Sequence, residues 1–236
     1  MAKKSFVKLY IWILRSTGSV PYPEKQWGRK DCFPGADGST IQPDLSWPNP
    51  NASRVSIYGG DGNILAEGTE MGFRILNITE SGVLSGNTSL VYTFKNPMAF
   101  ITNSTNPKDW YTDNETYQNN ALWGDGAPQK STYDPCPSGW RVPQAGTWSD
   151  FLTTTMIWSS AQYAIEAGRI YKNISWFPCV GYHASYGLFY VGSRGYCWSS
   201  STFNTRASHL FFDMNGVYPG NTSNRALGFS IRCVQE

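Results

Sequence analysis

From Trp176 to Glu236 the apolar residues keep a two-residue period between turn-forming residues, and this pattern constrains the chain more than any other. In the final segment Leu227, Phe229, Ile231 and Cys233 fall on one side of an extended chain, and Gly228, Ser230, Arg232 and Val234 on the other. That is the signature of a strand with one buried face. Upstream, Ala207 to Met214 and a short return around Val217 flank Asn215-Gly216, a dipeptide that tolerates the positive φ of a tight hairpin. The sequence predicts a hairpin followed by a core strand.

Earlier parts of the chain are less regular. Between Met1-Ala-Lys-Lys and Leu14, Phe6, Val7, Leu9, Ile11 and Ile13 partly alternate, which predicts a first strand. A shortened export signal is the alternative; the run Leu9 to Leu14 is too short to cross a bilayer, and no membrane insertion is expected. Six prolines between residues 15 and 60 predict irregular loops. Strands are expected at Arg54 to Tyr58, Gly72 to Ile78 and Ser89 to Phe94, and a long loop at Asn103 to Asn120. A helix is expected after Pro143, where Trp148, Phe151 and Leu152 have helical spacing, with Trp148 and Leu152 in the core. With no internal repeat and no low-complexity linker, one domain over residues 1–236 is the simplest organisation.

Composition narrows the function. The 236 residues include 10 Trp, 14 Tyr and 12 Phe, an aromatic excess that suits interfaces and sugar-binding surfaces. The net charge of +2 with no basic run lacks the electrostatic footprint of nucleic-acid binding. Two histidines, His183 and His209, follow no metal-ligand spacing, so neither a metal nor a cofactor is expected. No pair of carboxylates can be placed across a cleft for glycoside hydrolysis, and Asp125, Asp134 and Asp150 fit turns and caps.

Several spaced segments carry a resemblance. Gln26-Trp-Gly-Arg-Lys, Lys95-Asn-Pro-Met-Ala-Phe-Ile-Thr102, Leu122-Trp-Gly-Asp-Gly-Ala, Tyr133-Asp-Pro-Cys-Pro-Ser-Gly-Trp-Arg-Val-Pro143, Tyr196-Cys-Trp-Ser-Ser-Ser201 and Arg225-Ala-Leu-Gly-Phe-Ser-Ile-Arg-Cys-Val234 occur in order. Over about residues 26–236 the chain resembles the Fibrobacter succinogenes major paralogous domain family of surface and fimbrial-tip proteins of gut Bacteroidetes. The resemblance implies an α+β, C-type-lectin-like fold with a small antiparallel sheet, one or two helices and long irregular loops. It also implies a Cys136–Cys233 disulfide, hence an oxidising, extracytoplasmic setting, at the cell surface or on a phage virion. Cys32 and Cys179 are expected to be small buried residues, and Cys197 either that or a surface substitution. The calcium-dependent sugar signatures Glu-Pro-Asn and Trp-Asn-Asp are absent, which points to calcium-independent recognition.

Between residues 180 and 226, framework residues such as Gly181, Trp198, Leu210 and Phe212 alternate with candidate ligand contacts. The contacts are Tyr182, His183, Ser185, Tyr186, Tyr190, Arg194, Phe203, Asn204, Arg206, His209, Phe211, Asn215, Tyr218, Asn221 and Asn224. Their composition fits both ordinary turn chemistry and the recoded positions of retroelement-diversified variable proteins, which the resemblance brings in. The expected role is binding a protein or glycan on another cell or surface, through rigid aromatic anchors with polar neighbours and without catalysis. Two alternatives stay open: a structural fimbrial subunit, and a formylglycine-generating cysteine oxidase using Cys197 and Cys233.

Overall fold

The computed structural model describes residues 24–33, 57–58, 64–66, 74–164, 166–185 and 187–236. The expected first strand or export signal, and most of the Pro-rich stretch, lie outside the described residues. In chain order the strands are β1 (Glu24–Gln26), β2 (Ile57–Tyr58), β3 (Ile64–Ala66), β4 (Arg74–Asn77), β5 (Ala99–Thr102), β6 (Trp140–Arg141), β7 (Met156–Trp158) and β8 (Gly168–Tyr171). They continue as β9 (Ser175–Pro178), β10 (Tyr182–Ala184), β11 (Gly187–Phe189), β12 (Arg194–Phe203), β13 (Arg206–Asp213), β14 (Val217–Ser223), β15 (Gly228–Ser230) and β16 (Val234–Gln235). Among the described residues there is one α-helix, α1 (Leu90–Lys95), with single 3-10 turns at Glu115–Tyr117 and Ala145–Trp148. Strand predominates and helix is scarce, compatible with an α+β class.

The main sheet is larger than the sequence predicts. It has seven strands in the order β11-β10-β15-β12-β13-β14, with β1 joined to β15. Its spine is the hairpin of β12 and β13, turned at Asn204-Thr205 with Asn204 at φ 51°, a conformation asparagine tolerates better than most residues. The predicted Asn215-Gly216 turn joins β13 to β14, and the Asp213 carboxylate fixes it by accepting the Asn215 and Gly216 N–H groups at 2.8 and 2.9 Å.

Two cores follow from the alternation of β12. Cys197 faces Trp148, Phe151, Phe177, Leu210 and Phe212 on one side of the sheet. A Cβ on Gly195 would stand 2.0 Å from the Phe212 ring, so this position must be glycine for Phe212 to pack. Tyr196 and Trp198 face the other core, with Trp27, Leu76, Ile101, Trp110, Trp123 and Phe229. Indole N–H groups tie the loops to this core: Trp27 donates to the Ser199 carbonyl at 2.9 Å, Trp198 to Lys25 at 2.8 Å and Trp110 to Trp27 at 2.5 Å.

The polar residues of the sequence motifs are braces. Gln26 donates to the carbonyls of Ile101 and Ala226 at 2.6 and 2.7 Å, joining β1, β5 and the last strands. Arg29 donates to Ala99 O at 2.5 Å and stands over the Phe33 ring. Asp134 accepts the N–H groups of Cys136 and Val142 at 2.8 and 2.9 Å, and Asp125 accepts that of Thr202 at 2.9 Å. Cys136 and Cys233 form a disulfide, 97 residues apart in sequence.

Four expectations need correction. Ser89 to Phe94 is not a strand; α1 occupies it, burying Thr93 and leaving Val91 and Phe94 exposed, because so short an apolar alternation fits either element. The helix after Pro143 is only the turn Ala145–Trp148: Thr155 Oγ1 accepts the Leu152 N–H and donates to Asp150 O, closing a compact loop instead. Trp148 is buried as expected, but Leu152 is exposed. The last strand breaks between β15 and β16, where Arg232 turns away to the Trp176 carbonyl and the Phe177 ring. Finally, Cys32 is exposed, whereas Cys179 is buried as expected and Cys197 takes the buried one of its two expected positions.

The disulfide yields a stability expectation. Closing a loop of this length restricts the unfolded chain by about 4–5 kcal/mol in the chain-entropy model. The double variant Cys136→Ser/Cys233→Ser is therefore expected to lose about that much in urea denaturation, and the native chain to shift similarly under reductant. A midpoint unmoved by either change would show that the braces alone hold the two segments together.

Candidate functional site

On the Tyr196 side of the main sheet the buried aromatic core continues to the surface as a row of rings. Trp198 stacks on Phe229 at 4.1 Å between centroids, Phe229 on Tyr196 at 4.8 Å, Tyr196 on Phe211 at 5.1 Å, and Phe211 on Tyr218 at 5.2 Å. The last two contacts join direct cross-strand partners, the positions where side chains of neighbouring strands meet. Burial falls along the row, from fully buried Trp198 to Tyr218, which is 47% exposed. A second arm reaches β10 and β11, where Tyr182 stacks on its register partner Phe189 at 5.4 Å and meets Tyr196 edge-on at 5.2 Å.

Arg194 sits where the arms meet. Its guanidinium carbon lies 3.9 Å from the Tyr190 ring centroid and 5.8 Å from that of Phe211. Tyr190 holds a left-handed backbone, φ 59°, which is uncommon for a bulky residue. The Ser193 and Arg194 N–H groups and the Ser193 hydroxyl all donate to its carbonyl, keeping the ring beside Arg194. Gly181, at φ +72°, gives the close approach that seats Tyr182, since a Cβ there would stand 2.0 Å from the Phe189 carbonyl.

Burial keeps two of the phenols, Tyr182 and Tyr196, as donors. Burial, helped by the neighbouring Tyr190, raises the Tyr182 hydroxyl above its usual range, against the pull of Arg194. Burial raises Tyr196 strongly, again opposed by Arg194. Partial burial disfavours the Arg194 charge, but the Tyr196 and Tyr190 hydroxyls and Asp213 outweigh it, so the guanidinium ends raised.

The predicted contacts divide into groups. Tyr182, Tyr190, Arg194, Phe211 and Tyr218 come together, with exposed Asn215 in the turn at the same end of the β12–β13 hairpin. Phe203, Asn204 and Arg206 lie at the opposite end, around the hairpin tip. Asn221 is exposed on β14, while Ser185 and Asn224 line a separate cleft of about 360 Å³ with Asn77, Asn103 and Leu227. Tyr186 lies outside the described residues. His183 and His209 are corrections: both are buried, so neither offers a surface to a ligand. His209 is covered by Trp198, Tyr196 and Phe229, and His183 packs on Phe100.

Two ring residues, Tyr196 and Phe189, belong to the array although the sequence does not single them out. The alternation Arg194, Tyr196, Trp198 carries the signal for Tyr196, since these three share one face of β12. On the reverse face, burial pushes the Cys197 thiol up to about 11, opposite to the depression a reactive thiol requires. Among the described residues no three His, Cys, Asp or Glu side chains converge to hold a metal ion, and no helix is long and apolar enough to cross a membrane. Comparison with family models, with curated proteins and with solved structures finds no match.

The buried histidines give a pH expectation. Burial lowers both His183 and His209 to about 3. The unfolded chain, titrating near 6.5, therefore takes up protons first, and each imidazole removes stability as pH falls from about 6.5 toward 3. Glu24 works in the opposite sense, because burial raises its carboxyl well above the usual range. Comparing wild type with His209→Gln isolates one histidine. Between pH 7.5 and pH 5 the wild type is expected to lose about 2 kcal/mol more than the variant in urea denaturation. Equal losses would mean that His209 is protonated in the folded chain.

Proposed function

We propose that this chain is a non-catalytic ligand-binding domain with a C-type-lectin-like fold, displayed outside the cell on a surface, a fimbria or a virion. It holds a protein or glycan against the face formed by Tyr182, Tyr190, Arg194, Phe211 and Tyr218. The observation that carries this reading is the row of rings that leaves the core at Trp198 and emerges around a guanidinium, with Tyr190 held in a strained backbone beside it. Rings fixed by their neighbours present contact area with little left to immobilise on binding, and strained residues cluster at functional sites. The disulfide fits an oxidising compartment.

The cysteine-oxidase alternative draws no support from its candidates, since Cys233 is bridged and Cys197 is buried with a raised thiol. Diversification, where it acts, would be tolerated at Tyr190 and Tyr218, at the edge of the array, and at exposed Asn215, more readily than at buried His183 or His209.

Two substitutions separate binding from folding. Tyr190→Gly removes a ring and relieves the left-handed backbone, so thermal stability should hold or rise. Tyr218→Ala removes the most exposed ring. Each is expected to weaken binding of labelled protein to a panel of intact cells and immobilised glycans by about 1–4 kcal/mol. Undiminished binding in both variants would overturn the assignment of this face.

A further inference from the structure

Arg194 differs from other buried or half-buried arginines in what it meets. Arg29 and Arg225 approach carboxylates, and Arg169 and Arg232 donate to backbone carbonyls. Among the described residues no carboxylate forms a salt bridge with Arg194; Asp213 favours its charge only from a distance, while one of its carboxylate oxygens accepts the Asn215 and Gly216 N–H groups. Three phenols, Tyr182, Tyr190 and Tyr196, gather at the same guanidinium. A guanidinium fork matches a planar oxyanion, and phenol hydroxyls both donate to an oxyanion and exchange hydrogen bonds with sugar hydroxyls.

Resting on the ligand-binding reading of this same face, we infer that its ligand is an acidic glycan, whose sugar carboxylate is received by Arg194 and the surrounding phenols while its ring meets Tyr218. A sugar fits better than a protein because little of the face protrudes. Tyr182, Phe189, Tyr190, Arg194 and Phe211 are all half-buried, so a partner protein burying roughly 800 Å² per side would find few protruding anchors. One sugar residue needs only a small site with a charge at its centre. Both sialic acids and uronic acids carry the required carboxylate.

The test titrates the full chain with sialyllactose, with a glucuronic-acid disaccharide and with neutral lactose, following ligand resonances by saturation-transfer NMR. Arg194→Gln, Arg194→Lys and Tyr218→Ala are compared with wild type, and thermal melts confirm folding. At least one acidic sugar is expected to bind tenfold or more tightly than lactose, and which one binds distinguishes the two sources. Arg194→Gln should abolish that preference, Arg194→Lys should keep part of it, and Tyr218→Ala should weaken binding with the preference intact. Affinity for the acidic sugar should fall as salt is raised. Equal binding of acidic and neutral sugars, unaffected by Arg194→Gln, overturns the acidic assignment while leaving the aromatic face in place. The assignment is also overturned when none of these sugars binds; cell binding that then remains sensitive to Tyr190→Gly and to protease treatment of the cells would identify a protein partner on the same face. Cell and glycan binding unaffected by Tyr190→Gly and Tyr218→Ala overturns the face itself.

Discussion

The stacking of Trp198 on Phe229 is the contact on which the rest of the arrangement depends. It joins β12 to β15 at the centre of the main sheet, and the Trp198 indole N–H reaches across to Lys25 on β1. Burying two such rings is worth several kcal/mol by apolar area alone. The larger consequence is orientation. With Trp198 and Phe229 fixed, Tyr196 has one place to stack, then Phe211, then Tyr218, so the geometry of the surface array is inherited from the core. Few rotamers remain to be frozen when a ligand arrives, which is how a small face can bind at low entropic cost.

The terminal strands are legible in the sequence because each rests on a local rule. The Asn215-Gly216 turn stands where the sequence places it, although neither residue takes a positive φ and Asp213 fixes the turn instead, and Cys197 and Trp198 lie on opposite faces because the period of a strand is two. Burial is less local. Arg194, Tyr196 and Trp198 share one face of β12 and obey the same alternation, yet they run from half-buried to fully buried. The cover over Trp198 comes from Trp27 and β1, about 170 residues earlier in the chain, which no window of β12 can reveal. His183 and His209 fail for the same reason: their residue type suits a binding surface, and only distant rings show them to be covered. Thr155, which folds back on Asp150, likewise outweighs the helical spacing of Trp148 and Phe151.

The polar motif residues and the ring array divide the labour. Gln26, Arg29, Asp125, Asp134 and Arg225 look like candidates for chemistry in a sequence, because charged and amide side chains are expensive to bury without a purpose. Their partners are backbone groups and neighbouring side chains. Gln26 spans two strands, Asp134 holds the chain beside the disulfide, and Arg225 donates to Asn120 and the Asn204 carbonyl while standing over Trp27. A buried polar group satisfied in this way costs little where it stands and much when moved, so these residues specify the fold.

That division explains why the proposed binding face can be so dissimilar in character from the framework beneath it. Cys197 and its aromatic neighbours occupy the reverse of the sheet, the disulfide lies at the end of the chain, and the braces converge on β1 and β5. Beyond Tyr196, replacement of Tyr190 or Tyr218 removes contacts at the margin of the array without unpairing a brace. Arg194 is the exception, because it stacks on Tyr190 and faces Tyr196 at once. A change there alters both the charge of the face and the setting of its rings. On the proposed reading, the outer rings would shape what a ligand meets, while Arg194 would set the charge that ligand must bring.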